Sequence, residues 1–132
     1  MTRDGPIVLV LLSVGLGAAL GAMIRWGLSY ALNTRLEWLP LGTLVANLAA
    51  GILIGLVLAW LTATPSISPL VRLFLVTGFL GGLSTLSTFS AEAINLLMLG
   101  HYMHALEHIA LHLLGTLALT GVGLWIGRRL FA

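Results

Sequence analysis

Five hydroxyl side chains fall within seven consecutive positions of one long apolar segment. They are Ser84, Thr85, Ser87, Thr88 and Ser90, and the aromatic residue Phe89 lies among them. At bilayer depth, hydroxyl donors can replace the hydration shell of a small anion while binding it weakly enough for release. Aromatic ring edges carry partial positive charge and can also face an anion. The segment therefore predicts a polar ion pathway.

Two adjacent glycines, Gly81 and Gly82, directly precede these hydroxyl residues. Glycine weakens a helix and tolerates unusual backbone angles, so the pair predicts a break in the helix that carries it. A break in a membrane helix frees carbonyl oxygens, which protein, water or an ion must satisfy. Such carbonyls can coordinate a cation. The segment thus also predicts a buried cation site.

Other polar residues lie on neighbouring apolar segments. We interpret Asn47 as lining the polar path, with interhelical hydrogen bonding as the alternative. Glu92 either shares the face of Thr85 and Phe89 or is solvated at the far interface. Arg25 either snorkels to the interface or is buried.

Two polar stripes lie along the last apolar segment. His112, Thr116 and Thr120 recur at helical spacing and would face the hydroxyl residues of the third helix. A second stripe contains His101, His104, His108 and His112, beside Glu107. Imidazoles at this spacing can bind zinc, but the His-Glu-x-x-His pattern of zinc proteases is missing. We interpret the histidines as a polar stripe at the membrane interface.

Composition indicates the elements that must position these residues. The chain has 132 residues, of which 59% are hydrophobic and 8% charged, whereas a soluble domain carries roughly 25% charged residues. Four long stretches lack charge, and a spanning helix needs about 20 apolar residues. We therefore predict an all-α integral membrane protein, a single domain over 1–132. Its four transmembrane helices are expected at about 6–32, 40–62, 70–99 and 102–130.

The same composition excludes several classes of protein. There is no cysteine, which rules out disulfides and thiolate metal sites. No nucleophile–base pair or phosphate loop stands out, so the chain is not expected to be an enzyme. Its basic character comes from six arginines, mainly at helix ends, where they meet lipid rather than nucleic acid.

Arginine placement also bears on membrane orientation. Arg3, Arg72, Arg128 and Arg129 belong to one side of the membrane, and Arg25 and Arg35 lie towards the other. Lys and Arg set orientation, and a four-to-two division is compatible with insertion in both directions.

Two motifs resemble those of the Fluc (CrcB) fluoride channel family. They are Gly42-Thr43-Leu44-x-x-Asn47 and Gly78-Phe79-Leu80-Gly81-Gly82-Leu83-Ser84-Thr85-Leu86-Ser87-Thr88-Phe89-Ser90-Ala91-Glu92. The glycine-rich first helix with Arg25-Trp26, and Leu114-Gly115-Thr116-x-x-x-Thr120 in the fourth, extend the similarity over essentially the whole chain. The resemblance implies an antiparallel, dual-topology homodimer with two fluoride pores. It also implies passive export of fluoride across the inner (plasma) membrane of a prokaryote.

The resemblance assigns residues to two sites. Backbone carbonyls of Gly81 and Ser84 from both subunits would hold a structural sodium ion at the centre of the dimer. The implied fluoride pathway comprises Thr43, Asn47, Leu86, Ser87, Thr88, Phe89, Glu92, Thr116 and Thr120. Within it, Asn47 would line the pore and Phe89 would supply ring edges.

One position departs from the family pattern. The family usually reads Thr-Thr-Phe-Ser-Thr-Phe, whereas this chain reads Ser84-Thr85-Leu86-Ser87-Thr88-Phe89. Leu86 therefore removes one of the two rings that each subunit normally contributes. We expect conduction to persist with altered throughput.

Two other classes of protein remain as alternatives. Small multidrug transporters are also four-helix dual-topology dimers, but they need a carboxylate in the first helix, and here none follows Asp4. A non-transporting membrane subunit would pack against partners through Gly17, Gly21, Gly51 and Gly55. Such a subunit would not need the segment from Gly81 to Ser90.

Overall fold

The computed structural model describes residues 4–36 and 38–131, so Arg3 lies outside the described residues. Among these described residues, four helical spans are long and apolar enough to cross a membrane, which confirms the predicted number. They are Ile7–Leu32 (α1), Leu41–Ala63 (α2), Pro69–Met98 (the third span) and Tyr102–Leu130 (α6). The third span consists of Pro69–Arg72 (α3), a π-helix Leu73–Leu80, Gly81–Leu83 (α4) and Leu86–Met98 (α5).

Glycines bring α1 and the third span into backbone contact. A Cβ on Gly21 would lie 2.6 Å from the Leu83 nitrogen and closer still to the Phe79 carbonyl oxygen. Gly82 meets the backbone of Ala18 in the same way. Small residues at facing positions allow membrane helices to approach this closely. The face of α1 that carries Gly17 and Gly21 is therefore used inside the chain.

A second glycine contact joins α2 to α6. A Cβ on Gly51 would lie 2.9 Å from the Thr116 carbonyl oxygen, and one on Gly55 would lie 2.6 Å from the Leu124 nitrogen. Gly123 of α6 meets the backbone of Ile52 in return. These contacts fix the height of Thr116 relative to α2.

The third span is interrupted at Ser84 and Thr85, not at the glycine pair. Gly81 is helical, with φ −65° and ψ −36°, and Gly82 lies within α4. Ser84 (φ −80°, ψ 156°) and Thr85 (φ −150°, ψ 116°) are extended. The prediction placed the break near Gly81 and Gly82, and the extended residues follow that pair after Leu83. Gly82 packs closely against α1. The extended backbone lies where the Asn47 side chain of α2 forms hydrogen bonds with it.

A tight turn reverses the chain between α5 and α6. Gly100 has φ +76°, a left-handed conformation that glycine adopts without a Cβ penalty. The N–H of His101 donates to the Leu96 carbonyl at 2.9 Å, and the N–H of Gly100 donates to the Leu97 carbonyl at 3.0 Å. This is the hydrogen-bond pattern of a Schellman motif. It turns α6 back along α5, so that the two helices contact each other.

Large apolar side chains cover much of the outer surface. Exposed residues include Leu11, Leu16, Leu113 and Leu117, as expected where lipid replaces water. One cluster of buried apolar side chains consists of Ala46, Ala50, Leu80 and Leu83.

Candidate ion pathway

Asn47 of α2 binds the interrupted backbone of the third span through two hydrogen bonds. The Asn47 Nδ2 group donates to the Thr85 carbonyl at 3.1 Å, and the Thr85 N–H donates to Asn47 Oδ1 at 2.7 Å. A side-chain amide has both a donor and an acceptor, so it can satisfy both polar groups of one extended residue. Of the two roles that the sequence left open for Asn47, interhelical hydrogen bonding is observed. Asn47 contacts the third span and also lines the groove described below.

The Thr85 hydroxyl organises the first turn of α5. Thr85 Oγ1 accepts a hydrogen bond from the Thr88 N–H at 3.2 Å, which caps the helix. The same hydroxyl donates to Thr88 Oγ1 at 3.0 Å and lies 3.2 Å from Ser87 Oγ. Three hydroxyls are therefore clustered at the helix start, near the middle of the third span.

The interruption frees backbone carbonyls at Gly81 and Ser84. In a continuous helix the Gly81 carbonyl would accept from the Thr85 N–H, which donates to Asn47 instead. The Ser84 carbonyl would accept from the Thr88 N–H, which donates to the Thr85 hydroxyl. Within residues 4–36 and 38–131, no side-chain or loop hydrogen bond reaches either oxygen. Two carbonyls predicted as cation ligands thus lack their helical donors.

Arg25 satisfies a neighbouring carbonyl. Its Nε donates to the Gly82 carbonyl at 3.0 Å, and its side chain is half-buried. Of the two roles that the sequence left open for Arg25, the structure favours a contact inside the chain.

A groove of about 580 Å³ runs along the interrupted segment. Its polar lining comes from Asn47, Ser84, Thr85, His112 and Thr116. Leu86 and Phe89 add apolar walls, and Leu86 is 75% exposed. The groove is therefore open on the side where Leu86 projects from the chain.

Phe89 packs between the groove and two histidines of α6. Its ring stacks on His108 with centroids 5.3 Å apart, and it lies 4.9 Å from the ring of His112 at a tilt of 40°. Behind His108, Thr43 Oγ1 donates to Glu92 Oε1 at 2.7 Å. Glu92 is thus hydrogen-bonded within the chain rather than solvated at an interface.

The predicted pathway residues fall into groups. Asn47, Leu86, Phe89 and Thr116 line the groove. Ser87 and Thr88 lie beside it in the hydroxyl cluster of Thr85. Glu92 lies next to His108 and accepts a hydrogen bond from Thr43. Thr120 stands apart, because its hydroxyl donates to the Thr116 carbonyl of its own helix at 2.9 Å.

The interpretation of the histidines as an interfacial stripe was wrong for two of the four. His101 and His104 lie at the start of α6, where they are accessible, but His108 is 0% exposed and His112 only 4%. Both are covered because α6 turns back along α5 and brings them against Phe89 and Glu92. The helical spacing of His112 with Thr116 and Thr120 predicted a face that meets the third span. His112 does so through Phe89, whereas Thr116 and Thr120 pack against Gly51 and Gly55 of α2.

Comparison with known proteins places the chain in a family. The profile of the family described as "CrcB-like protein, Camphor Resistance (CrcB)" matches residues 12–124. A protein of Pseudomonas putida (strain W619), named fluoride-specific ion channel FluC, is 53% identical over 114 residues, covering 86% of this chain and 90% of the relative.

Two further relatives carry the same name. The protein of Cupriavidus metallidurans (strain ATCC 43123 / DSM 2839 / NBRC 102507 / CH34) is 51% identical over 126 residues, covering 96% of this chain and 98% of the relative. The protein of Aromatoleum aromaticum (strain DSM 19018 / LMG 30748 / EbN1) is 48% identical over 120 residues, with 91% and 88% covered. On this similarity over nearly its whole length, and with four membrane-spanning helices, the chain belongs to the CrcB-like protein family.

Proposed function

We propose that this protein is a fluoride-selective ion channel that passively releases fluoride from the cytoplasm, and not an enzyme. The observation that carries the proposal is the similarity, over 96% of the chain, to a relative named as a fluoride-specific ion channel. Fluoride enters cells as HF at acidic pH and ionises inside, so a passive channel suffices to release it.

The groove carries a few polar groups of the kind that a small hard anion requires, in a wall that is otherwise mostly apolar. Ser84, Thr85, Thr116 and Phe89 line it, and its lining residues include no arginine or lysine. The Ser84 and Thr85 hydroxyls donate within the third span, to the Leu80 carbonyl and to Thr88 Oγ1, so an anion would have to compete for these donors. Neutral donors can replace the hydration shell of an anion while still allowing its release. The edge of the Phe89 ring adds partial positive charge.

The open groove supports a homodimer. Hydrocarbon cannot solvate polar groups, so the hydroxyls and freed carbonyls beside Leu86 must face protein or water. A second copy of the chain, packed antiparallel, would cover them. We propose that two such grooves form two pores per dimer, in the inner (plasma) membrane of a prokaryote. The small excess of arginine on one side is compatible with dual topology.

The freed carbonyls of Gly81 and Ser84 fit a structural sodium ion at the centre of this dimer. Carbonyl oxygens are hard ligands, and those without helical donors are suited to binding a small cation. The bound ion would supply positive charge that offsets the carbonyl dipoles of both subunits. Exchange of sodium for N-methylglucamine is expected to weaken the dimer, measured by its dissociation in detergent. Unchanged dissociation would contradict this part of the proposal.

The glycine faces argue against a non-transporting subunit. Gly17 and Gly21 pack against the third span, and Gly51 and Gly55 pack against α6. These faces are therefore used within the chain and are not free to bind another protein.

Ion efflux from liposomes tests the function directly. Purified protein is reconstituted with fluoride or chloride inside, and release is followed with ion-specific electrodes. Rapid fluoride release without chloride release is expected. If neither this chain nor Leu86→Phe released fluoride, in protein shown to be folded and dimeric, the proposal would be overturned.

A further inference from the structure

We propose that Glu92, His108 and His112 form a binding site for a zinc-class divalent cation, separate from the proposed sodium site. One potential ligand atom from each residue lies within 4.8 Å of the other two. The site joins α5 to α6 behind the ring of Phe89.

Each residue of this cluster has a buried polar atom without a hydrogen-bond partner among the described residues. These atoms include Glu92 Oε2, His108 Nε2 and His112 Nε2. A buried polar atom without a partner is costly, because it has lost its bonds to water. His108 and His112 are both more than nine-tenths buried. A cation between Glu92 Oε2, His108 Nε2 and His112 Nε2 would satisfy these three atoms at once, and of the cluster's four such atoms only His108 Nδ1 would remain.

The spacing of two of these atoms suits a common metal ion. Glu92 Oε2 lies 3.6 Å from His108 Nε2, which is too long for a hydrogen bond. Ligands about 2.0–2.1 Å from a tetrahedral zinc ion lie about 3.4 Å from each other. The pair is thus already separated by about one edge of such a tetrahedron.

Hydrogen bonds on the far side of two ligands orient them towards the cluster. Thr43 Oγ1 binds Glu92 Oε1, which leaves Oε2 directed at His108. His112 Nδ1 lies 3.0 Å from the His108 carbonyl oxygen, and donation there leaves Nε2 as the free acceptor. Zinc-binding histidines commonly donate their second nitrogen to a carbonyl in this way. The arrangement therefore includes both the ligands and their supports.

The donor set distinguishes this site from the sodium site. Two imidazoles and one carboxylate suit zinc and similar transition metals, whereas sodium, magnesium and calcium prefer oxygen ligands alone. Three protein ligands also leave a fourth position of a tetrahedron for water or an anion. Metal binding would hold α5 and α6 together next to Phe89 and would change the surroundings of that ring.

The zinc content of the purified protein tests the proposal without relying on ion flux. The purified dimer is equilibrated with ZnCl2 in the presence of excess Na+ and Mg2+, and bound zinc is measured by mass spectrometry after removal of free metal. One zinc ion per chain is expected. His108→Gln, His112→Gln and Glu92→Gln should each weaken binding at least 10-fold, and Thr43→Val by about 10–100-fold as a supporting residue.

The exposed pair of His104 and Glu107 provides a matched control on the same helix. Its atoms lie 3.2 Å apart, and its side chains are 43% and 45% exposed. His104→Gln and Glu107→Gln should leave zinc content unchanged. Loss of binding in these variants would assign the metal to the surface pair and overturn the proposal, as would a zinc-free native dimer.

Thermal unfolding distinguishes loss of the zinc site from poor folding of a variant. A ligand that binds only the native state raises the melting temperature. Zinc should therefore raise Tm for the native chain and for His104→Gln. An equal rise in the double variant His108→Gln/His112→Gln would overturn the site, whether or not fluoride is conducted.

Discussion

The side chain of Asn47 forms hydrogen bonds with both backbone groups of Thr85, 38 positions later in the chain. These bonds replace the helical bonds that Thr85 forgoes where the third span is interrupted. Because the Thr85 N–H is taken by Asn47, the Gly81 carbonyl loses its helical donor. One amide of α2 therefore bonds the interrupted backbone and frees the Gly81 carbonyl, whereas the Thr85 hydroxyl frees the Ser84 carbonyl by accepting from the Thr88 N–H.

Removal of the Asn47 amide should disrupt the interruption. Asn47→Leu leaves the Thr85 N–H and carbonyl unpaired in the membrane, and each unsatisfied group costs about 1–3 kcal/mol. We expect a clear fall in Tm of the protein and loss of fluoride efflux. Asn95→Leu is the control, because Asn95 is exposed on α5. Equal behaviour of the two variants would contradict the assigned role of Asn47.

Leu86→Phe should change the rate of fluoride efflux but not the stability of the chain. Leu86 is 75% exposed beside the groove, so a larger ring meets no backbone of its own chain. We expect the native chain to conduct fluoride and Leu86→Phe to conduct it at a different rate, both measured by liposome efflux. Complete loss of flux in the native chain, restored by Phe, would show that this ring is essential.

Gly21→Ala should destabilise the protein strongly. The added Cβ would overlap backbone atoms of Phe79 and Leu83, which cannot move aside as a side chain can. Overpacking of this kind typically costs about 1–3 kcal/mol. Gly27→Ala on the same helix meets nothing within 4 Å and should be neutral or slightly stabilising. The two Tm values test this difference, and similar values would refute the close packing of α1.

Arg25→Met should weaken the junction between α1 and the third span. The variant keeps an apolar stem but removes the donor to the Gly82 carbonyl, and hydrogen bonds to charged groups contribute about 1.5–3 kcal/mol. We expect a lower Tm that Arg25→Lys only partly restores. Arg35→Met is the control, because Arg35 is exposed near the loop after α1. If Arg25 only snorkelled to lipid, both Met variants would unfold alike.

Local composition determined the number of membrane spans and indicated which segment carries the polar residues. Charge-free stretches of about 20 residues can be solvated only by lipid, so the four spans could be predicted from residue types alone. The segment from Gly78 to Glu92 likewise indicated an ion pathway, because hydrocarbon does not solvate hydroxyls that crowd together at bilayer depth. The spacing of His112, Thr116 and Thr120 predicted a polar face towards the third span, and of these three residues His112 contacts it, through Phe89.

Contacts between helices that are distant in sequence decided the position of the helix break and the burial of His108. The break lies at Ser84 and Thr85 rather than at Gly81 and Gly82, because a side chain of α2 bonds Thr85 while Gly82 packs on α1. His108 is buried beside Glu92 only because the turn at Gly100 returns α6 along α5. Propensity and periodicity describe a helix by itself, whereas hydrogen bonds and burial depend on which atoms of another helix arrive at the same place.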